Sequence, residues 1–347
     1  MSCYHPLLRV AYHPLGHVSD TRVKVLSYSD TIVSDFYKLG FAVDEAIQIP
    51  CGKCIGCRLE YSRQWANRCM LELEYHDSAY FVTLTYDDDH VPISWYVDDT
   101  TGETCPAMSL RKRDMQLWMK RLRKACGSQR IRFYLAGEYG SQTFRPHYHA
   151  ILFGLELHDL SLYAKKSDEF SYFNSLFLDK TWIGCYNGIT KCKGSATTLT
   201  QNGHVVVAPV SWDTCAYVAR YVTKKLTGPA AKLYDDCNIE HPFTLMSRKP
   251  GIGRQWYEDH PDCYDYEYIN ISTDRGGKKF RPPRYFDKLF DLDEPERSKE
   301  LKEARRRAAD DAKRLKMANT SLSYLELLQV EENSKLNKIK KLERSLE

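Results

Sequence analysis

The sequence predicts an α+β fold in which helices pack on a largely antiparallel β-sheet. Short segments with alternating apolar and polar residues, rich in β-branched and aromatic side chains, predict strands. Longer segments with apolar residues three or four positions apart predict helices. The elements follow in the order strand, helix, strand, strand, helix, strand, helix, and a loop containing Gly137, Gly140 and Pro146 joins the two consecutive strands.

Each element has its own signal in the sequence. The alternation from Tyr80 to Tyr86 is typical of a strand, and a helix that starts near Thr214 is expected to stop at Gly228-Pro229. The aromatic-rich segment 170–182 predicts a helix, whereas the first 50 residues lack sustained periodicity and predict an irregular lead-in. The predicted strands are 80–86, 130–136, 147–153 and 204–210, and the predicted helices are 58–75, 109–125, 170–182 and 214–226.

Composition along the chain predicts three regions. Residues 1–75 form an N-terminal segment with a cysteine-rich knot and a helix, and residues 76–290 form the main α+β domain. From residue 291 to residue 347 the chain is rich in charged helix formers, which predicts a helical tail. Its heptad-like seam of leucines is interrupted by Glu332 and Lys335, so a stable coiled coil is the less favoured interpretation.

The charge distribution is more informative than the net charge of +4. Seven basic residues crowd one short region with little acidic opposition, which suits a phosphate-binding surface; a solvated helix face is the alternative. A second basic segment runs from Arg275 to Lys288. The clustered residues of the first region are Arg111, Lys112, Arg113, Lys120, Arg121, Arg123 and Lys124.

Neither a membrane span nor a signal peptide is expected. The chain has no stretch of about 18 apolar residues, and its N-terminus lacks a charged region followed by an apolar run. The twelve cysteines are therefore interpreted as reduced thiols of a cytoplasmic protein, with one cluster set apart for a metal.

His147 and His149 form a candidate metal site. Alternate side chains of a strand share one face, so the two imidazoles project together while Tyr148 points toward the core. If the chain turns back between Gly140 and Pro146, antiparallel pairing places Glu138 beside them. Two imidazoles and a carboxylate leave positions open for a phosphate oxygen and water, as a catalytic ion requires. A pair of hydrogen-bonded surface histidines is the alternative.

Tyr217 and Tyr221 are one helical turn apart, so their hydroxyl groups are expected about 6 Å apart along one face of a helix. Arg220 and Lys224 follow the two tyrosines at three-residue spacing. A phenol has a pKa of about 10, so its attack on phosphorus needs a cation to stabilise the phenolate and the growing negative charge. Ordinary aromatic packing is the alternative for such a pair.

Cys51, Cys54 and Cys57 predict a structural zinc site, with free thiols as the alternative. Zinc requires a fourth ligand, which can be Cys3, His5 or a distant residue such as Cys105. Cys69 is excluded, because it lies about 18 Å further along the predicted helix. An iron–sulfur cluster is disfavoured, since the fourth cysteine and the following proline of a ferredoxin motif are missing.

Several motifs together resemble the HUH rolling-circle endonucleases, and in particular the replication proteins of gokushovirus-type microviruses. The resemblance covers residues 48–290. The two-tyrosine motif is similar to that of the gene A class of microvirus initiators. The motifs are Phe81-Val-Thr-Leu-Thr85, Arg145-Pro-His-Tyr-His-Ala150, Tyr217-Val-Ala-Arg-Tyr221 with Lys224, Cys51-Gly-Lys-Cys-Ile-Gly-Cys57, Gly137-Glu-Tyr-Gly140 and Ser247-Arg-Lys-Pro-Gly-Ile-Gly253.

The resemblance implies an HUH endonuclease domain over residues 76–290, with an RRM-like, five-stranded antiparallel sheet that carries the histidines on a central strand. It implies cleavage of one strand at a viral replication origin through a 5′-phosphotyrosine bond and later rejoining by the second tyrosine. Expected partners are single-stranded or supercoiled origin DNA and the host helicase and polymerase, in the bacterial cytoplasm. Mg²⁺ or Mn²⁺ is the expected cofactor, and the oligomeric state stays open, a monomer included.

Other functional classes remain as alternatives. A nucleic-acid-binding protein without chemistry could use the same sheet and basic helix, and a relaxase or transposase would share the HUH chemistry. A metal-dependent hydrolase that activates water is disfavoured, because Ile151 occupies the position where a further aspartate ligand is expected.

Overall fold

A computed structural model describes residues 3–167, 170–184, 200–224, 231–273 and 276–344. The strands are β1 Leu7–Pro14, β2 Arg22–Ser27, β3 Phe41–Ile49, β4 Ala79–Thr85, β5 Ile93–Val97, β6 Thr104–Met108, β7 Arg132–Tyr139, β8 Pro146–Phe153, β9 Leu160–Ser167, β10 Phe170–Ser175, β11 Ile183–Gly184, β12 Thr200–Gln201, β13 Val205–Pro209, β14 Phe243–Met246, β15 Ile269–Thr273 and β16 Gly276–Phe280. The helices are α1 Ile32–Lys38, α2 Ile55–Leu73, α3 Lys112–Ala125, α4 Leu176–Thr181, α5 Trp212–Lys224, α6 Lys232–Asp236, α7 Arg254–Asp259, α8 Arg284–Asp293, α9 Pro295–Ala318 and α10 Tyr324–Arg344, and Pro261–Tyr264 forms a 3₁₀ turn.

The described chain divides into two compact units. One unit contains residues 62–289. The other contains the described residues up to Tyr61 together with those from Phe290 onward. None of the described helices combines the length and the apolar composition that a membrane crossing requires.

The larger unit is built on a seven-stranded sheet in which all neighbouring strands are antiparallel. The strand order is β14-β7-β8-β4-β13-β10-β9, so β8 lies in the interior of the sheet between β7 and β4. The predicted α+β class is confirmed. The sheet has more strands than the five that the resemblance implies, because the β9–β10 hairpin extends one edge.

The two faces of the sheet carry different side chains. On β8, Tyr148, Ala150 and Leu152 belong to a large apolar core that includes Met115, Trp118 and Leu122 of α3. Helix α3 therefore covers that face with its apolar stripe. The opposite face, where His147 and His149 project, is packed by α5, which contacts β7 and β8.

The segment 170–182, predicted as a helix, is only partly helical. Residues 170–175 form β10, which pairs with β9 and, through Phe173, with Val207 of β13. The helix α4 begins at Leu176, and its N-terminus is capped by the Ser175 hydroxyl, which accepts a hydrogen bond from the Leu178 N–H at 3.2 Å. Aromatic residues favour strands as well as buried helices, so composition alone did not separate the two.

The first 50 residues, predicted to be irregular, instead form an antiparallel sheet of order β2-β1-β3 with α1 packed on it. Its apolar core has three fully buried members, Leu8, Val10 and Phe36. The alternation in these strands is short and interrupted by polar residues, and this obscured the strand pattern in the sequence. In the same unit, α9 and α10 confirm the predicted helical tail.

Candidate metal centre and tyrosine helix

The register between β7 and β8 brings the predicted metal ligands together. Glu138 is paired directly with His147, and His149 is paired with Ala136, one step along the same face. The arrangement follows from the turn between Gly140 and Arg145, where the backbone N–H of Gly140 donates to the Arg145 carbonyl at 3.0 Å. The proposed antiparallel return of the chain is therefore present.

One carboxylate oxygen lies between the two imidazoles. Oε1 of Glu138 is 2.7 Å from Nε2 of His147 and 3.7 Å from Nε2 of His149. The three donor atoms lie within 4.8 Å of one another. Glu138 and His149 are buried and His147 is half-buried, so the group is accessible from the His147 side.

The remaining ring nitrogens are held by outer partners, which leaves Nε2 of each imidazole directed at the carboxylate. Nδ1 of His147 lies 3.1 Å from the Arg145 carbonyl oxygen, to which it can only donate. Nδ1 of His149 lies 3.0 Å from Oγ1 of Thr83 on β4. Such second partners fix the tautomer and the ring orientation of metal-binding histidines. The donor set and its support therefore fit a divalent ion such as Mn²⁺ or Mg²⁺.

Tyr217 lies against this triad. Its ring centroid is 5.5 Å from that of His149 in an edge-to-face contact, and 5.9 Å from that of Phe81. The side chain is 41% exposed, although Val218 and Ala219 beside it on α5 are fully buried. A phenol next to a candidate metal centre and open to solvent can reach a substrate held there.

The backbone of α5 continues through the positions of Arg220, Tyr221 and Lys224. The side chains of these three residues lie outside the part of the chain that the structure describes. Their predicted roles therefore stay predictions.

Tyr148 points into the core, as predicted. Its hydroxyl oxygen is 3.0 Å from that of Tyr86 and accepts the Arg111 backbone N–H at 2.8 Å. Burial raises the pKa of Tyr148 far above its ordinary value, so this phenol stays protonated. The same strand thus supplies the metal face with imidazoles and the core face with a neutral tyrosine.

The basic residues of α3 lie on the other side of the sheet from the triad. Arg121 donates to the Thr181 carbonyl at 3.0 Å, and Arg123 donates to the Ile131 carbonyl at 3.2 Å while lying over the Phe133 ring. These two therefore also support the fold. Arg111 is half-buried, and the exposed members of the predicted DNA-contact group, besides Arg123, are Lys112, Arg113, Lys120 and Lys124.

The second basic segment lies beside the tyrosine helix. The ammonium nitrogen of Lys278 on β16 is 3.0 Å from the ring centroid of Trp212, the first residue of α5. A cation over an indole ring is a favourable contact. The hairpin of β15 and β16 therefore brings positive charge to the helix that carries Tyr217.

The three cysteines of the predicted knot are joined by a fourth. Sγ atoms of Cys3, Cys51, Cys54 and Cys57 lie within 4.8 Å of one another. Cys3 was one of the three alternatives for the fourth ligand. The other two do not join the group: Nε2 of His5 lies 2.6 Å from Glu332, and Cys105 is on β6 in the other unit.

Three residues of the site were not predicted from the sequence. Thr83 and Arg145 hold the histidine rings, and the Arg145 guanidinium is itself fixed by Asp88 at 2.6 Å and by the Tyr86 carbonyl at 2.9 Å. Phe81 stacks on the His149 ring with centroids 5.5 Å apart. Pairing the predicted strand 80–86 with 147–153 would have found Thr83, because it lies directly opposite His149.

The fold and the site define an α+β protein with a two-histidine, one-carboxylate metal centre beside a tyrosine. Residues 79–226 match the family described as "Replication-associated protein ORF2". This range contains the triad, Thr83 and the tyrosine helix. The resemblance to phage replication proteins is thereby confirmed.

Three relatives extend the similarity along the chain, and all are replication-associated proteins of small phages of the Microviridae. ORF2 of Spiroplasma virus 4 is 28% identical over 100% of this chain and 98% of its own length. VP4 of Bdellovibrio phage phiMH2K is 27% identical over 72% of this chain and 69% of its own. ORF4 of Chlamydia phage 1 is 26% identical over 88% of this chain and 70% of its own. No solved structure matches the chain.

Proposed function

We propose that this chain is a metal-dependent DNA-nicking and strand-joining enzyme of the HUH class, which starts and ends rolling-circle replication of a phage genome. The observation that carries the proposal is the contact between the Tyr217 ring and His149 of the metal triad. The similarity to replication-associated phage proteins supports the same role. Aromatic packing alone would not require a half-exposed phenol at a candidate metal centre.

His147, His149 and Glu138 would hold the divalent ion. When bound, the ion would polarise the scissile phosphate and neutralise part of its charge. The Arg145 carbonyl and the Thr83 hydroxyl keep both imidazoles in the orientation in which Nε2 faces Glu138. The triad would thus be organised before the substrate arrives, which lowers the cost of reorganisation during the reaction.

The phenolic oxygen of Tyr217 would attack the phosphorus of one phosphodiester in the origin strand. The new bond joins Oη to phosphorus, the bond from phosphorus to the 3′ oxygen breaks, and the phenol proton passes to solvent. The 3′ oxygen takes up a proton and becomes a free 3′-OH, the end that a polymerase extends. The 5′ phosphate remains esterified to tyrosine, so the energy of the broken bond is conserved for rejoining.

Tyr221, one turn further along α5, would be the second nucleophile after a round of replication. The 3′-OH then released would attack the first phosphotyrosine and close a circle. Arg220 and Lys224 would stabilise the phenolate and the negative charge on the phosphate. The partners would be origin DNA, single-stranded or supercoiled, and the host helicase and polymerase in the bacterial cytoplasm.

A covalent adduct assay tests the proposal. Protein is incubated with single-stranded fragments of its phage's intergenic DNA, labelled at the 3′ end, with Mn²⁺ or Mg²⁺. We expect the label to migrate with the protein on a denaturing gel, because the 5′ phosphate stays on tyrosine. Tyr217→Phe with Tyr221→Phe should abolish the adduct, while Tyr266→Phe, at an exposed tyrosine away from the triad, should retain it.

Two results would contradict the proposal. One is an adduct that persists in the double phenylalanine variant, and the other is the lack of any adduct across all fragments of the genome. If replication of the phage continues with the double variant, the chain is instead a binding protein without chemistry. In His147→Ala and His149→Ala we expect the adduct and Mn²⁺ binding to be lost together.

A further inference from the structure

The four sulfur atoms of Cys3, Cys51, Cys54 and Cys57 form a group of their own in the smaller unit. Sγ of Cys51 is 4.0 Å from Sγ of Cys57, and Sγ of Cys54 is 4.0 Å from Sγ of Cys3. Around a tetrahedral zinc ion with Zn–S bonds of about 2.3 Å, sulfur atoms are about 3.8 Å apart. A disulfide would need about 2 Å. The spacing therefore matches shared coordination of one ion, and all four are free cysteines.

Backbone N–H groups point at these sulfurs. Cys51 donates to Sγ of Cys3 at 3.3 Å, and Tyr4 donates to Sγ of Cys54 at 3.4 Å. Sγ of Cys51 accepts from both Lys53 at 3.4 Å and Cys54 at 3.3 Å. Donors of this kind stabilise the negative charge of metal-bound thiolates. Thiols that merely filled an apolar core would not need them.

The local chain conformation also suits an ion. Gly52 has a φ of +74°, a left-handed conformation that side-chain-bearing residues rarely adopt, and it allows the tight turn between Cys51 and Cys54. Cys57 follows in the first turn of α2. Cys3 reaches the group from 48 residues earlier in the chain than Cys51.

We infer that Cys3, Cys51, Cys54 and Cys57 bind one structural zinc ion. This inference is independent of the proposed nuclease chemistry, which uses a different triad. Zinc is favoured over the hard ions of the triad because all four donors are thiolates. The ion fastens the start of β1 to the start of α2 and closes the segment that forms the three-stranded sheet.

A metal is physically useful in this part of the chain. The apolar core of the three-stranded sheet has only Leu8, Val10 and Phe36 as fully buried members among the described residues. Val23 and Val25 of β2 are more than half exposed. Small elements with few buried side chains are commonly stabilised by metals or disulfides, and structural zinc contributes folding free energy directly.

Metal analysis of the purified full chain tests the inference. The experiment uses the His147→Ala, His149→Ala background, so that zinc adventitiously bound to the triad is not counted. We expect one zinc per chain by mass spectrometry, and its loss in Cys3→Ser. Cys126→Ser, at another half-buried cysteine, should retain the zinc, as should His5→Ala.

A conservative variant and a spectroscopic probe keep the test decisive if Cys3→Ser folds poorly. Cys3→His supplies a nitrogen ligand that zinc accepts, and it should restore one equivalent. Replacement of zinc by cobalt should give the strong visible absorption of a tetrahedral thiolate site, weakened in Cys3→His. These readouts do not depend on DNA cleavage, so failure of the nuclease proposal would leave them unchanged.

Three outcomes would overturn the inference. The first is a zinc content no higher than that of the variant with all four cysteines changed to serine. The second is iron in place of zinc in protein expressed with both metals. The third is full zinc content in Cys3→Ser together with loss in His5→Ala, which would make histidine the fourth ligand.

Discussion

Nδ1 of His149 lies 3.0 Å from Oγ1 of Thr83, the residue directly opposite it on the neighbouring strand. Thr83→Val keeps the shape of the side chain but removes this partner, so the imidazole loses the hydrogen bond that fixes its orientation. We expect Mn²⁺ affinity to fall by about 10- to 100-fold. Titration calorimetry measures it, with Thr83→Ser as the control that retains the hydroxyl. Wild-type affinity in Thr83→Val would show that the threonine does not orient the histidine.

Tyr148 tests whether the two faces of β8 are independent. Tyr148→Phe leaves the Arg111 N–H and the Tyr86 hydroxyl without this partner in the core, which should lower the free energy of unfolding by about 1–3 kcal/mol. Mn²⁺ affinity should not change, because the hydroxyl is on the opposite face from the triad. Urea denaturation and calorimetry measure the two quantities. A loss of metal binding without a loss of stability would contradict the separation.

Glu72 predicts a specific pH dependence of stability. Burial alone would raise its pKa, but hydrogen bonds from His76, Arg132 and the Gly253 N–H lower it below the ordinary value of 4.5. The stabilisation is therefore complete above about pH 4.5 and is lost as the pH falls through the lower folded-state pKa. Glu72→Gln should cost about 3 kcal/mol at neutral pH and should show a shallower loss in acid.

Thermal unfolding between neutral and acidic pH measures this effect. Glu103→Gln, at an exposed glutamate, is the control and should follow the wild-type curve. Parallel curves for Glu72→Gln and wild type would mean that Glu72 does not titrate differently in the folded and unfolded states.

The exposed cations of α3 predict DNA affinity without a role in cleavage. Changing Lys112, Arg113, Lys120 and Lys124 to alanine should weaken binding to single-stranded DNA. The slope of log affinity against log salt should fall by about 0.7 for each phosphate whose charge the variant no longer neutralises. The fraction of bound DNA that becomes covalently attached should stay constant, because α3 is on the other face of the sheet from the triad.

Fluorescence anisotropy at several salt concentrations measures the slope. Lys24→Ala with Lys38→Ala, at two exposed lysines of the smaller unit, serves as the control for removal of positive charge elsewhere. If the α3 variant binds with wild-type affinity and slope, the cluster is a solvated helix face.

The sequence was sufficient for the triad because strand periodicity is a local property. Two histidines at alternate positions must share a face, and a loop of a few residues can only return the chain antiparallel, which placed Glu138 beside His147. The basic cluster of α3 was equally visible, but its location was not. Which face of a sheet a helix covers depends on long-range packing, and here Trp118 and Leu122 direct it away from the histidines.

The N-terminal sheet was missed for a related reason. Its strands have few buried residues, so hydrophobic alternation gives little signal, and the features that hold it are long-range ones. Cys3 meets Cys54 across 51 residues, and no local pattern indicates which distant thiol completes the cysteine group. The strand at 170–175 was mistaken for a helix because pairing with β9 and β13, rather than intrinsic propensity, decides its conformation.

The alternation along β8 makes one backbone register responsible for two outcomes. A slip of a single residue against β7 and β4 would exchange Tyr148 with an imidazole, and would destroy the core and the metal triad in the same event. A chain that misfolds in this strand therefore has no partly competent form. For a protein proposed to cut the genome that encodes it, strand pairing acts as quality control, because only correctly folded copies assemble the means to break DNA.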